Sequence, residues 1–217
     1  MIKTIVFDFD GTLVDSNEIK RELFFEVSER FIPDSSPRME IILKESSQKT
    51  RKDIFAQLLK DFGIYVEETS GSFPPSHIIT AMIDSYTVLA EKRVSEAAEI
   101  EGAGKVLQEL SDEYLLFINS ATPTKTLKNI IHNRGWSSLF REIYGSPKSK
   151  IQNLQTIGQK MKLIPTDILM IGDSESDYIS SKSYGCHFIG YNYIGSKDQL
   201  TIKSLHDIKS AINIYRG

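Results

Sequence analysis

The chain has 217 residues, 40% of them hydrophobic, a formal net charge of −3 and one cysteine. That length holds one domain or a domain with a sizeable insertion, and the charge excludes a broad electrostatic attraction to nucleic acid or anionic lipid. Cys186 alone can form neither an intramolecular disulfide nor a cysteine-based zinc cluster, and no window approaches the ~18 uninterrupted apolar residues of a spanning helix, so a cytoplasmic protein with no membrane partner is expected.

The first predicted element is a strand, Thr4 to Phe7, which runs into Asp8-Phe9-Asp10-Gly11-Thr12. Residues two apart on a strand point to the same side, and clustered carboxylates are the ligands a hard cation such as Mg²⁺ prefers. Gly11 lets the backbone leave the strand by a tight turn. From about residue 17 to 98 the periodicity is helical, over Glu18 to Phe31, Lys52 to Phe62 and His77 to Lys92, with no strand. Pro33, Pro37 and the segment Ser70 to Pro75 break these helices apart. Residues 17–98 therefore read as a helical insertion forming a second lobe, with residues 1–16 and 99–217 as the core. Further strands are expected at Tyr114 to Ile118, Ile168 to Ile171 and His187 to Ile189, separated by helices that include Ile151 to Met161. Strands alternating with helices predict an α/β fold with a parallel, doubly wound sheet.

Ligands of such sheets bind beyond the carboxyl ends of the strands. There the sequence places Asn119-Ser120-Ala121-Thr122-Pro123 after one strand and Gly172-Asp173-Ser174-Glu175-Ser176-Asp177 after another. Lys148 and Lys150 stand just ahead of a helix. Two acidic clusters, a hydroxyl and a lysine are expected to share one crevice.

In order, Asp8-x-Asp10-Gly11-Thr12, Ser120, a lysine and Gly172-Asp173-x-x-x-Asp177 give the whole chain a resemblance to the haloacid dehalogenase superfamily. It most resembles the phosphatase branch that includes phosphoglycolate phosphatases and β-phosphoglucomutases. The resemblance implies a Rossmann-like core with a helical cap inserted after the first motif. It implies Asp8 as the nucleophile that forms an aspartyl-phosphate, and Asp10 as general acid and then general base. Mg²⁺ would be held by Asp8, the main-chain carbonyl of Asp10 and Asp173. Ser120 and backbone N–H groups around Ala121 would bind the phosphoryl oxygens. Asp177 would hold a metal-bound water or the lysine, and Asp15, at the cap hinge, is assigned a structural role.

For the lysine, Lys150-Ile-Gln-Asn-Leu154 resembles the variant in which lysine opens the helix, whereas Ser149 and Ile151 replace the prolines that would follow Lys148 in the other variant. Lys150 is therefore chosen. Branches that cleave carbon–halogen or carbon–phosphorus bonds generally lack an acid at the position of Asp10, so phosphate esters are favoured. The segment Gln48-Lys49-Thr50-Arg51 resembles a cap stretch carrying a substrate-facing arginine, and Arg51 is expected either to bind an acidic substrate group or to belong to a solvated basic face. The expected activity is Mg²⁺-dependent hydrolysis of a small phosphorylated metabolite. A sugar phosphomutase using the same two aspartates is the rival, and the intact acidic set disfavours a non-enzymatic regulatory protein. Oligomeric state is not legible.

Overall fold

The computed structural model describes residues 1–45, 50–68, 71–73, 75–195 and 199–216. They divide into two compact units, one of Met1–Ser16 with Val94–Gly217 and one of Asn17–Arg93. In chain order the elements are β1 (Thr4–Phe7), α1 (Asn17–Phe31), α2 (Ser36–Lys44), α3 (Arg51–Asp61), β2 (Val66–Glu68), β3 (Gly71–Phe73) and α4 (Ser76–Glu96). There follow α5 (Ala103–Ser111), β4 (Leu115–Pro123), α6 (Thr124–Asn133), β5 (Glu142–Ser146) and α7 (Lys150–Met161). The chain closes with β6 (Ile168–Gly172), α8 (Glu175–Tyr184), β7 (His187–Tyr191), β8 (Thr201–Ile202) and α9 (Ile208–Asn213).

The first unit is built on a parallel sheet ordered β5-β4-β1-β6-β7-β8. β1 and β6 are buried along their whole length, as expected of β-branched and apolar strands covered on both faces. Val6, Phe117, Ile168, Met170 and Phe188 form one apolar cluster with Leu154 and Ile157 of α7. Their strand neighbours Ile5, Leu116 and Leu169 are also buried and, by alternation, face the other side. Cys186 lies in the first cluster, and burial pushes its thiol up to about 12.

Register decides where the site lies. Phe7 is level with Ile118 on one side and Ile171 on the other. β1 thus ends between two strands reached by chain crossovers to opposite sides, the switch point at which doubly wound sheets open a crevice. Where the chain leaves and re-enters this unit its two segments pair: Val14 bridges Glu99 antiparallel, and Asp15 N–H donates to the Ala98 carbonyl at 3.0 Å.

The second unit has its own core, with Leu23, Val27, Met39, Ile42, Phe55, Leu58, Met82 and Tyr86 buried together. Phe24 packs against Phe55 and Tyr86 with ring centroids 5.5 and 4.7 Å away, and the Tyr86 hydroxyl donates to the Lys20 carbonyl at 3.0 Å. This unit departs from the all-helical expectation. β2 and β3 pair antiparallel, with Val66 opposite Phe73 and Glu68 opposite Gly71, and β3 falls inside the segment Ser70 to Pro75 expected only to break the helices. Ser70 and Pro74 of that break lie outside the described residues, as do Gln48 and Lys49. Pro37 does not separate helices either. It sits in the first turn of α2, where the missing N–H would have no helical partner. Among the described residues no helix is long and apolar enough to cross a membrane.

Candidate active site

β1 ends at the crevice, and its ladder runs one residue further, the Asp8 N–H donating to the Ile171 carbonyl at 2.8 Å. Asp8 is 4% exposed. Two residues on, Asp10 meets a different environment. Its Oδ1 accepts from the Ser16 hydroxyl at 2.7 Å, and its Oδ2 accepts from the hydroxyls of Ser120 at 3.2 Å and Thr122 at 3.0 Å. Gly11, at φ +76°, supplies the turn between the motif and Ser16. The two carboxylates thus have separate partner sets, cationic for one and hydroxylic for the other.

The exit of β6 brings the second acidic group. Ser174 caps α8 in a reciprocal capping box with Asp177, which fixes the Asp177 carboxylate at the helix start with no exposed surface. Gly172 is required there, because a Cβ at that position would lie 2.4 Å from the Asp177 Cγ. The Thr12 hydroxyl donates to Asp173 at 3.4 Å. Carboxylate oxygens of Asp8, Asp173 and Asp177 all fall within 4.8 Å of one another.

Lys150 is the first residue of α7, which starts here because Ser149 and Gln152 form another capping box. Its ammonium donates to Asp8 at 2.8 Å and to Asp177 at 2.5 Å, with the side chain 9% exposed. Burial alone would depress this ammonium, but the charges of Asp177 and Asp8 outweigh it and raise its pKa. For Asp8 the balance is reversed: burial first, then the Asp177 charge, raises its pKa well above the usual carboxylate range against the pull of Lys150. Lys148 instead reaches the Thr156 hydroxyl at 3.3 Å on the surface.

Asp8, Asp10, Ser120, Lys150, Asp173 and Asp177 are therefore brought together in the first unit. Ala121 lies exposed on β4 between Ser120 and Thr122. Arg51 belongs to the second unit, at the first position of α3 behind a capping box of Thr50 and Asp53, with its guanidinium 4.5 Å from the centroid of the Tyr86 ring. Sequence reasoning missed Thr122 and Ser16 as partners of Asp10. For Thr122 a signal existed: had the strand been continued past Ile118, the two-residue alternation would have put it beside Ser120. For Ser16 none did, because its approach depends on the Gly11 turn.

Such an arrangement offers a buried carboxylate beside a fixed ammonium, a second carboxylate poised among hydroxyls, and a cluster of three converging carboxylates. A family model described as haloacid dehalogenase-like hydrolase matches residues 5–191. A phosphoglycolate phosphatase of Vibrio vulnificus is 24% identical, aligning over 88% of this chain and 84% of its own. Among solved structures, a haloacid dehalogenase-like hydrolase of Streptococcus pneumoniae superposes with a TM-score of 0.72 at 21% identity, covering 97% of this chain and 98% of that one. The hydrolase YfnB of Bacillus subtilis, solved bound to magnesium, gives 0.72 at 18% identity over 98% and 99%.

Proposed function

The chain belongs to the haloacid dehalogenase-like hydrolases, and from that membership we propose that it is a cytoplasmic Mg²⁺-dependent phosphatase of a small phosphorylated metabolite, working through an aspartyl-phosphate on Asp8. The observation that carries this reading is the division of labour between Asp8, held against the Lys150 ammonium, and Asp10, held by three hydroxyls. The phosphatase relatives agree with it.

In the first step an Asp8 oxygen attacks phosphorus, the ester P–O bond breaks, and the leaving alkoxide takes its proton from Asp10. In the second, Asp10 removes a proton from water, the oxygen of which attacks the same phosphorus. Inorganic phosphate leaves and the Asp8 carboxylate is restored. Lys150 offsets the negative charge of nucleophile and phosphoryl group, while Ser120, its hydroxyl turned from Asp10 to the substrate, and the N–H groups around Ala121 donate to the phosphoryl oxygens.

The donor set fits a hard divalent cation: carboxylate oxygens of Asp8, Asp173 and Asp177 converge, with Lys150 against two of them. Asp8, Asp173 and the main-chain carbonyl of Asp10 would hold the ion, with Asp177 serving Lys150 or a metal-bound water. When bound, the ion supplies charge screening between the carboxylate nucleophile and a dianionic phosphate. The magnesium-bound B. subtilis hydrolase supports that choice of metal. Substrate selection is assigned to the insertion, residues 17–98, with Arg51 as the cation for an acidic substrate group.

Phosphate release from a panel of small phosphate monoesters tests the reading. Turnover is expected with Mg²⁺, lost with chelator and restored by added Mg²⁺. No release from any ester, or release indifferent to chelation, contradicts it.

A further inference from the structure

We infer that Asn119 and Asn153 form a buried amide relay that sets the position of Lys150; the inference rests on the function proposed above. Asn119 is fully buried and Asn153 is 1% exposed. Asn119 adjoins Ser120 on β4, so the two point to opposite sides of the strand: Ser120 toward Asp10, Asn119 toward α7. The Asn119 amide N–H donates to the Lys150 carbonyl at 2.9 Å, while its own oxygen accepts from the Asn153 amide at 3.0 Å. The Asn153 amide also reaches the Gly145 carbonyl of β5 at 3.4 Å. One pair of side chains thus ties β4 and β5 to the first turn of the helix that carries the lysine.

The capping box of Ser149 and Gln152 closes that first turn on itself but makes no link to β4. Below it, Leu154 and Ile157 contribute apolar contacts, which are non-directional and permit small slides. The relay is directional. Because the ammonium must reach Asp8 and Asp177 at once, a slide of the helix start removes it from one of them. Stability does not account for the pair. The Asn153 Oδ1 is buried and has no hydrogen-bond partner among the described residues, and an apolar pair of similar volume would avoid that desolvation.

The test is the variant Asn119→Val/Asn153→Leu, studied by crystallography and by turnover of para-nitrophenyl phosphate with Mg²⁺. In its crystal structure Lys150 is expected to leave hydrogen-bonding reach of Asp8 or Asp177; retention of both bonds overturns the inference whatever the activity. In turnover, kcat should fall by on the order of tenfold to a hundredfold, and the same two changes on a Lys150→Met background should produce no further loss. Wild-type kcat in the variant, or losses that multiply on that background, also overturn it. Failure of the wild-type protein to release phosphate would count against the proposed function, and the crystallographic reading would still decide the relay. Should the double variant not fold, Asn153→Ala alone gives the same readings.

Discussion

In the first unit the deepest side chains include Asp8 and Asp177, with Lys150 between them. In the second, the buried polar side chains among the described residues are the hydroxyls Ser28 and Ser35, and the rest of its core is apolar. Its charges pair at the surface, Arg38 with Asp61 at 2.6 Å and Arg21 with Glu18 at 3.1 Å. Exposed pairs of this kind contribute about 0–1 kcal/mol each. A buried ion cluster costs desolvation that its internal attraction barely offsets, so stability alone would not select the arrangement at the strand ends. The first unit thus holds a buried charge cluster that stability does not explain, whereas the second is held by an ordinary apolar core.

Substitutions that remove one feature from each unit sharpen this contrast. Lys150→Met should lower phosphate release by on the order of 10²- to 10³-fold and, by leaving two buried carboxylates uncompensated, destabilise the protein by about 3–5 kcal/mol. The same change at exposed Lys148 should leave the rate within about twofold and stability within about 0.5 kcal/mol. Comparable losses from the two lysines in steady-state assays would break the account of the site. In the second unit, Phe55→Ala removes a fully buried ring that packs against Phe24 and Tyr86. It should cost about 3–5 kcal/mol in denaturant unfolding while kcat of the folded fraction stays near wild type. A collapse of kcat at full folding would mean that this core also serves the chemistry.

How much of this was legible in sequence depended on periodicity. β1, β6 and β7 were readable because they are short apolar runs ending in turn residues. β5 was missed because it is a half-buried edge strand, Glu142-Ile-Tyr-Gly-Ser146, with neither a continuous nor a cleanly alternating pattern. The β2–β3 pair escaped because three-residue strands leave no periodic trace, and α2 because a proline such as Pro37 reads as a breaker as readily as a helix starter. At the site, the placing of the aspartates and Lys150 in one crevice was legible from motif order, since Asp8 and Asp173 stand one residue beyond a strand end and Asp177 and Lys150 lie in the first turn of a helix. Asn119 and Asn153 were not, because their contacts span 31 and 34 positions and depend on the register of a helix against a strand.

Asp8 is proposed to carry the phosphoryl group, and the rate of phosphate release by Asp8→Asn decides whether it does. The variant should fold and release phosphate at below about one-thousandth of the wild-type rate; appreciable phosphatase activity in that folded variant would remove Asp8 from the nucleophile role.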